Sequence, residues 1–230
     1  MQRIPPPPDE VLAAFLDRHA PFSTAPLCPE LRVFYAHSLV AVWEAAETLA
    51  GGVLPAPFWA YPWAAGMAIA RVILDDPSLV AGRSVLDIGA GGGIACLAAA
   101  HAGGRRVVAN DLDPWALATT RIAAQRQELE VVTLLADLTR EPERTDEFDV
   151  ILCGDLLYEK SEAALQHALL ARSATRGATV LAGDAGRTYF TPAGMTLLRE
   201  FNLAVPRDLE GVDERRARVW RAGVRPPANG

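Results

Sequence analysis

Cysteine is scarce. Cys28, Cys96 and Cys153 are the only three in 230 residues, and they form no CxxC pair. That excludes a disulfide framework and a cysteine-rich metal site, and it suits a reducing compartment. Cys96 and Cys153 fall in apolar surroundings and read as small buried hydrophobes. No apolar run reaches the length that spans a bilayer. The start, Met1-Gln2-Arg3-Ile4-Pro5, lacks the apolar stretch of a secretory signal. The expected location is the cytoplasm, away from membranes.

Basic charge is also in short supply. Lys and Arg total 22 against 28 Asp and Glu, a formal net charge of -6. A general nucleic-acid binder needs a basic footprint, so none is expected here. A protein partner with a lysine patch is still compatible with an acidic surface. The four histidines, His19, His37, His101 and His167, form no cluster, and no HExxH or GxSxG occurs. Zinc and serine-hydrolase readings therefore lack their residues, and no metal site is expected.

Half of the residues are hydrophobic, enough for a sizeable core. Pro5 to Pro8 read as an extended arm. Asp9 reads as the N-cap of a helix carrying Val11, Leu12, Phe15 and Leu16. Helical spacing from Pro29 to Leu49 predicts a second helix, ended by Gly51-Gly52. After the proline- and aromatic-rich stretch 55–63, a third helix is expected to about Leu74. The predicted organisation is an arm and helical extension over 1–54, then a catalytic domain over 55–230.

From Ser84 onward the pattern alternates. Strands are predicted at Ser84–Ile88, Arg106–Asn110, Val131–Leu135, Phe148–Cys153 and Thr179–Gly183. Helices are predicted from Ile94 to Ala102, from Asp113-Pro114, from Ser161 to Arg172 and from Thr191-Pro192. Two further strands are expected near Leu203 and Val219. Such alternation builds a parallel α/β sheet with helices on both faces. Ligands of such sheets bind beyond the carboxyl ends of the strands.

The residues at those ends are informative. The first strand runs into Asp87-Ile88-Gly89-Ala90-Gly91-Gly92-Gly93. The glycines allow a tight turn and close ligand approach. A dinucleotide fingerprint would need its third glycine where Ile94 stands. Asp87 opposes a pyrophosphate and suits an amine-bearing cation such as the methionine end of S-adenosylmethionine. Asp111, about 20 residues on, is placed to accept ribose hydroxyls in either cofactor class. Asp113, before Pro114, is the plainer N-cap. Asp137 follows the third strand, where it either receives an adenine amino group beside Leu138 or is a loop acid. Asp155 and Tyr158 follow the fourth strand and suit an incoming amine. Their plainer reading is a helix cap and a core tyrosine.

VLDIGAGGGI (85–94) resembles motif I of the seven-β-strand class I methyltransferases. Asp155-x-x-Tyr158 resembles the DxxY motif of their protein-lysine branch. PFWAYPWAAGMAIARVILDDP (57–77), GDLLYE (154–159) and AGDAGR (182–187) together resemble the electron transfer flavoprotein β-subunit lysine methyltransferase family. The similarity runs from about Leu27 to Trp220. The chain departs from that family at Trp63-Ala64-Ala65-Gly66, commonly WPGG, and at Ala123 and Gln127, commonly asparagine.

The resemblance implies a Rossmann-like class I fold with a twisted, seven-stranded, mostly parallel sheet and a reversed final hairpin. It implies S-adenosylmethionine as donor and a protein lysine as acceptor, with the electron transfer flavoprotein β subunit as partner. Asp87, Gly89 and Gly91 would lie at the methionine end, Asp111 at the ribose, and Asp155 and Tyr158 at the acceptor. Trp59 and Trp63 would line the channel, although isolated aromatics are more often core. A monomer is expected. A small-molecule N-methyltransferase of the nicotinamide type, a ribosomal-protein methyltransferase, an NAD-binding oxidoreductase and a non-catalytic module are the alternatives.

Overall fold

The computed structural model describes residues 4–157 and 160–223. It opens on α1 (Asp9–His19), which buries Leu12 and Leu16. Pro8, not Asp9, occupies the N-cap. The Asp9 carboxylate instead forms a two-pronged pair with the Arg121 guanidinium. An antiparallel hairpin follows, β1 (Phe22–Ala25) and β2 (Cys28–Phe34).

The helix expected from Pro29 is thus replaced by a strand in its first half. Leu31, Phe34 and Tyr35 do sit at helical spacing, but Leu31 and Val33 are buried with Arg32 exposed between them. That is a strand period, and the ladder to β1 satisfies the backbone. Gln127 reinforces it from afar, exchanging hydrogen bonds with the Arg32 backbone at 2.8 and 3.0 Å. The helix proper is α2 (Leu39–Ala50), capped by Ser38 and closed by left-handed Gly51. The N-terminal extension is therefore mixed rather than purely helical.

Next come α3 (Ala64–Asp75), β3 (Ser84–Ile88), α4 (Ile94–His101), β4 (Arg106–Asp111) and α5 (Pro114–Gln125). Then follow β5 (Val132–Leu135), β6 (Val150–Gly154), α6 (Lys160–Thr175) and β7 (Thr179–Asp184). Asp113 caps α5 as expected, accepting the Trp115 N–H at 2.9 Å. Ser161 lies inside α6 rather than capping it. The chain ends with β8 (Thr196–Ala204), the single turn α7 (Arg207–Glu210) and β9 (Glu214–Ala222). No helix starts at Thr191-Pro192. That segment is a turn closed by the Met195 N–H on the Pro192 carbonyl at 2.9 Å. The residues beyond it pair along β9, so the hairpin claims them.

The main sheet has the order β5-β4-β3-β6-β7-β9-β8. Its first five strands are parallel, and β9 runs antiparallel to both neighbours. The seven-stranded, mostly parallel sheet with a reversed hairpin matches expectation. Alternate residues feed two cores. Val85, Val107, Val150 and Leu152 join α3, α4, α5 and the N-terminal elements on one face. Leu86, Ile88, Val108 and Ile151 meet α6 on the other. All three cysteines are buried and free. Burial pushes the Cys28 and Cys153 thiols up to about 12. Among the described residues no helix is long and apolar enough to cross a membrane.

Candidate active site

The register aligns the strand ends. Ile88 of β3 stands beside Asn110 of β4 and Cys153 of β6, and Asp111 stands beside Leu135 of β5. The order of connection reverses around β3, which opens a crevice at the carboxyl edge. A cavity of about 750 Å³ occupies it. Trp59, Trp63, Asp87, Gly89, Gly91, Asp111, Asp137 and Asp155 all line this cavity. Tyr158 lies outside the described residues.

Sheet order lays the four carboxylates out in a row: Asp137 after β5, Asp111 at the end of β4, Asp87 near the end of β3, Asp155 after β6. Three interstrand spacings separate the outer two, about 14 Å at ~4.8 Å each.

Asp87 is buried, and one oxygen accepts the Cys96 N–H in the first turn of α4 at 3.0 Å. Desolvation raises its pKa to about 7; the Cys96 N–H opposes the rise and the Asp111 charge adds to it. A buried carboxylate held near neutrality is an electrostatic demand for a cation. Gly89 turns the chain with φ of 66°, and a side chain there would strike Leu156. A Cβ on Gly92 would come 2.5 Å from the Trp59 carbonyl. The loop is thus compressed between neighbours as well as turned.

Asp111 accepts the Gly91 N–H and the Asp113 N–H, each at 2.9 Å, so the carboxylate and the glycine loop hold each other. Asp137 accepts from the Thr139 N–H and hydroxyl at 3.1 and 2.6 Å and pairs with Arg140. Its loop-capping role is therefore real, while Leu138 beside it is buried against the cavity.

The two tryptophans differ. Trp59 is 3% exposed and stacks on Trp115 at 6.1 Å, so it is core as well as wall. Trp63 precedes α3, with its Nε1 donating to the Phe58 carbonyl at 2.8 Å. Asp155 takes the left-handed backbone, φ 56°, a conformation a non-glycine residue adopts at a cost. Its Oδ2 accepts the Ala65 N–H at the start of α3 at 2.8 Å, and its Oδ1 accepts the Arg187 Nε–H at 2.6 Å. Burial raises its pKa, and Arg187 opposes that most.

Sequence reasoning missed two residues. Asn110 is buried and donates to the Leu134 and Ala136 carbonyls, both at 2.9 Å, which fixes the Asp137 loop. Arg187 touches both Asp155 and the Trp63 ring. Its place in AGDAGR was the available signal. Among the described residues no cluster of His, Cys, Asp and Glu could hold a metal ion.

This row of carboxylates beyond a doubly covered parallel sheet, with a glycine loop at its switch point, defines a class I methyltransferase. The methyltransferase domain family matches residues 85–176. A T. thermophilus 16S rRNA methyltransferase in complex with AdoMet and guanosine shares the fold, with a TM-score of 0.53 and 19% identity over 71% of this chain and 43% of that one. The electron transfer flavoprotein β subunit lysine methyltransferase of Danio rerio is 36% identical over 75% of this chain and 68% of its own length. That of Xenopus laevis is 33% identical over 77% and 72%. The chain belongs to this family. Its methyl donor is S-adenosylmethionine, and the residues present fit that molecule: a buried carboxylate needing a cation, a compressed glycine loop and two further acids in line.

Proposed function

We propose that the chain is a protein-lysine N-methyltransferase of the cytoplasm that modifies the β subunit of electron transfer flavoprotein, working as a monomer. The carrying observation is the order of the carboxylates along the sheet, taken with the name borne by the relatives. Asp137 and Leu138 receive the adenine, Asp111 the ribose, and Asp87 with Gly89 and Gly91 the methionine end. Trp59 backs the glycine loop, and Trp63 walls the far end. Asp155 and Tyr158 receive the acceptor. The extension over 1–54 is the frame on which the catalytic segment, 55–230, rests.

When bound, S-adenosylmethionine supplies an activated methyl group that an amine takes by in-line displacement. The protein's part is alignment and electrostatics. Lysine, at a reference pKa of ~10.4, is almost wholly protonated at neutral pH and must lose a proton first. Asp155 holds the nitrogen in place, with Tyr158 turning it toward the donor. The α3 N-terminus, through the Ala65 N–H, fixes the carboxylate.

The test is intact-mass spectrometry of the β subunit incubated with enzyme and S-adenosylmethionine. Methyl increments are expected with the wild type and none with Asp155→Ala, which should bind S-adenosylhomocysteine nearly as well. An unmodified β subunit would discard the partner and turn the search to ribosomal proteins and small amines. Loss of S-adenosylhomocysteine binding in the variant would overturn the assignment of Asp155 to the acceptor.

A further inference from the structure

Asp155 does not face the cavity as a lone carboxylate. Arg187, in the turn after β7, has its Nε–H on one oxygen at 2.6 Å. Asp184 sets that turn by accepting the Gly186 and Arg187 N–H groups at 3.0 and 2.8 Å. The Arg187 guanidinium lies 5.7 Å from the Trp63 ring centroid, and all three side chains line the cavity. A cation therefore already sits between a carboxylate and an indole, the two groups that would otherwise draw in an ammonium.

The surrounding charges do not undo this. Glu210 of α7 is buried, with Oε2 on Arg215 at 3.1 Å and Oε1 without a hydrogen-bond partner. Its own burial, reinforced by the Asp155 charge, shifts it toward the protonated form. Tyr61 stacks edge-on to Tyr35 at 5.2 Å, and burial holds its phenol neutral. Asp184 brings a negative charge, but both of its oxygens are turned to the backbone N–H groups of its own turn and it does not line the cavity.

We propose that Arg187 is a positioning residue that makes the acceptor site select the neutral amine: its ion pair with Asp155 leaves carboxylate oxygens that accept an amine N–H, while the pair as a whole has no net charge to hold an ammonium. The inference rests on the lysine-acceptor reading above. A carboxylate oxygen accepts more than one hydrogen bond, so the pair with Arg187 leaves room for an amine N–H. A neighbouring cation disfavours a second one. The step concerned is a single proton transfer. The ammonium gives its proton to water, and the nitrogen keeps the electron pair it uses for attack.

Two readouts on the full chain test this, both with the β subunit from the same source. Without donor, calorimetry should show wild-type affinity for the β subunit rising from about pH 7 to 9, as the amine form grows. Arg187→Gln should flatten or reverse that rise. With saturating donor, the midpoint of the rising pH–rate curve should move up by about one unit or more in Arg187→Gln. Arg187→Lys, which keeps the charge, should stay near the wild-type midpoint, and S-adenosylhomocysteine affinity should hold in both. An Arg187→Gln variant with wild-type midpoint and wild-type binding dependence overturns the inference. If that variant fails to fold, a raised midpoint in Arg187→Lys overturns it. A wild type that binds S-adenosylhomocysteine yet methylates no β subunit overturns the choice of acceptor on which the inference rests, and not the role of Arg187.

Discussion

Asp87 shows how far a single residue can be set against its own stability. Burial lifts its folded pKa to about 7 from the ordinary carboxylate value, ~3.9, so between those limits the folded state holds a proton that the unfolded state has lost. Stability therefore falls as pH rises through that window, and the full cost is felt above pH 7. Asp87→Asn keeps an acceptor for the Cys96 N–H and cannot ionise. Thermal melts at pH 8 should show it a few degrees more stable than the wild type, with little difference at pH 4. The same substitution should cost at least tenfold in S-adenosylmethionine affinity by calorimetry. In the wild type that affinity should weaken below about pH 7, since the ligand's ammonium favours the ionised carboxylate. A flat affinity from pH 5.5 to 8 would remove Asp87 from the methionine end.

At the scale of elements, the weak point is β5. It stands at the edge of the sheet, paired only with β4, and Val132 and Leu135 are exposed. The loop that follows nonetheless supplies Asp137 and Leu138 to the cavity. Asn110 reconciles these facts by bonding two carbonyls at that strand's end. Asn110→Ala removes both donors, and an orphaned buried carbonyl costs about 1–3 kcal/mol. Urea denaturation should show a loss of about 2 kcal/mol or more. Hydrogen exchange should rise first in β5 and the 136–139 loop. Unchanged exchange there, with stability lost elsewhere, would contradict this role.

On the scale of the whole molecule, the N-terminal extension is bound into the catalytic core. Leu12, Leu16, Leu31 and Val42 share one hydrophobic cluster with α3, α4 and α5. Ile4 reaches the cavity wall, and its carbonyl accepts the Trp115 Nε1–H at 3.1 Å. The Asp9–Arg121 pair ties α1 to α5. The chain should therefore unfold in one transition, with tryptophan fluorescence and far-UV circular dichroism coincident. A fragment of 55–230 should be aggregation-prone, having lost that cover. Two separated transitions would mean that the extension is an independent layer.

What the sequence alone determined was local in origin. Strand–helix alternation after Ser84, the glycine turn, the Asp113 cap and the acids at strand ends each depend on a few adjacent residues. All the described candidate residues accordingly meet at one cavity. The tertiary structure decided the rest, because the partners are distant in the chain. Thirty-two residues separate Arg187 from Asp155, and 95 separate Gln127 from Arg32, whose contact lies beside the segment where helical spacing misled. The two tryptophans also parted company there: Trp115 drew Trp59 into the core, while Arg187 and Phe58 kept Trp63 at the site. Hydrophobic spacing records which side of an element is covered. Only packing determines what covers it, and which charge is left facing the cavity.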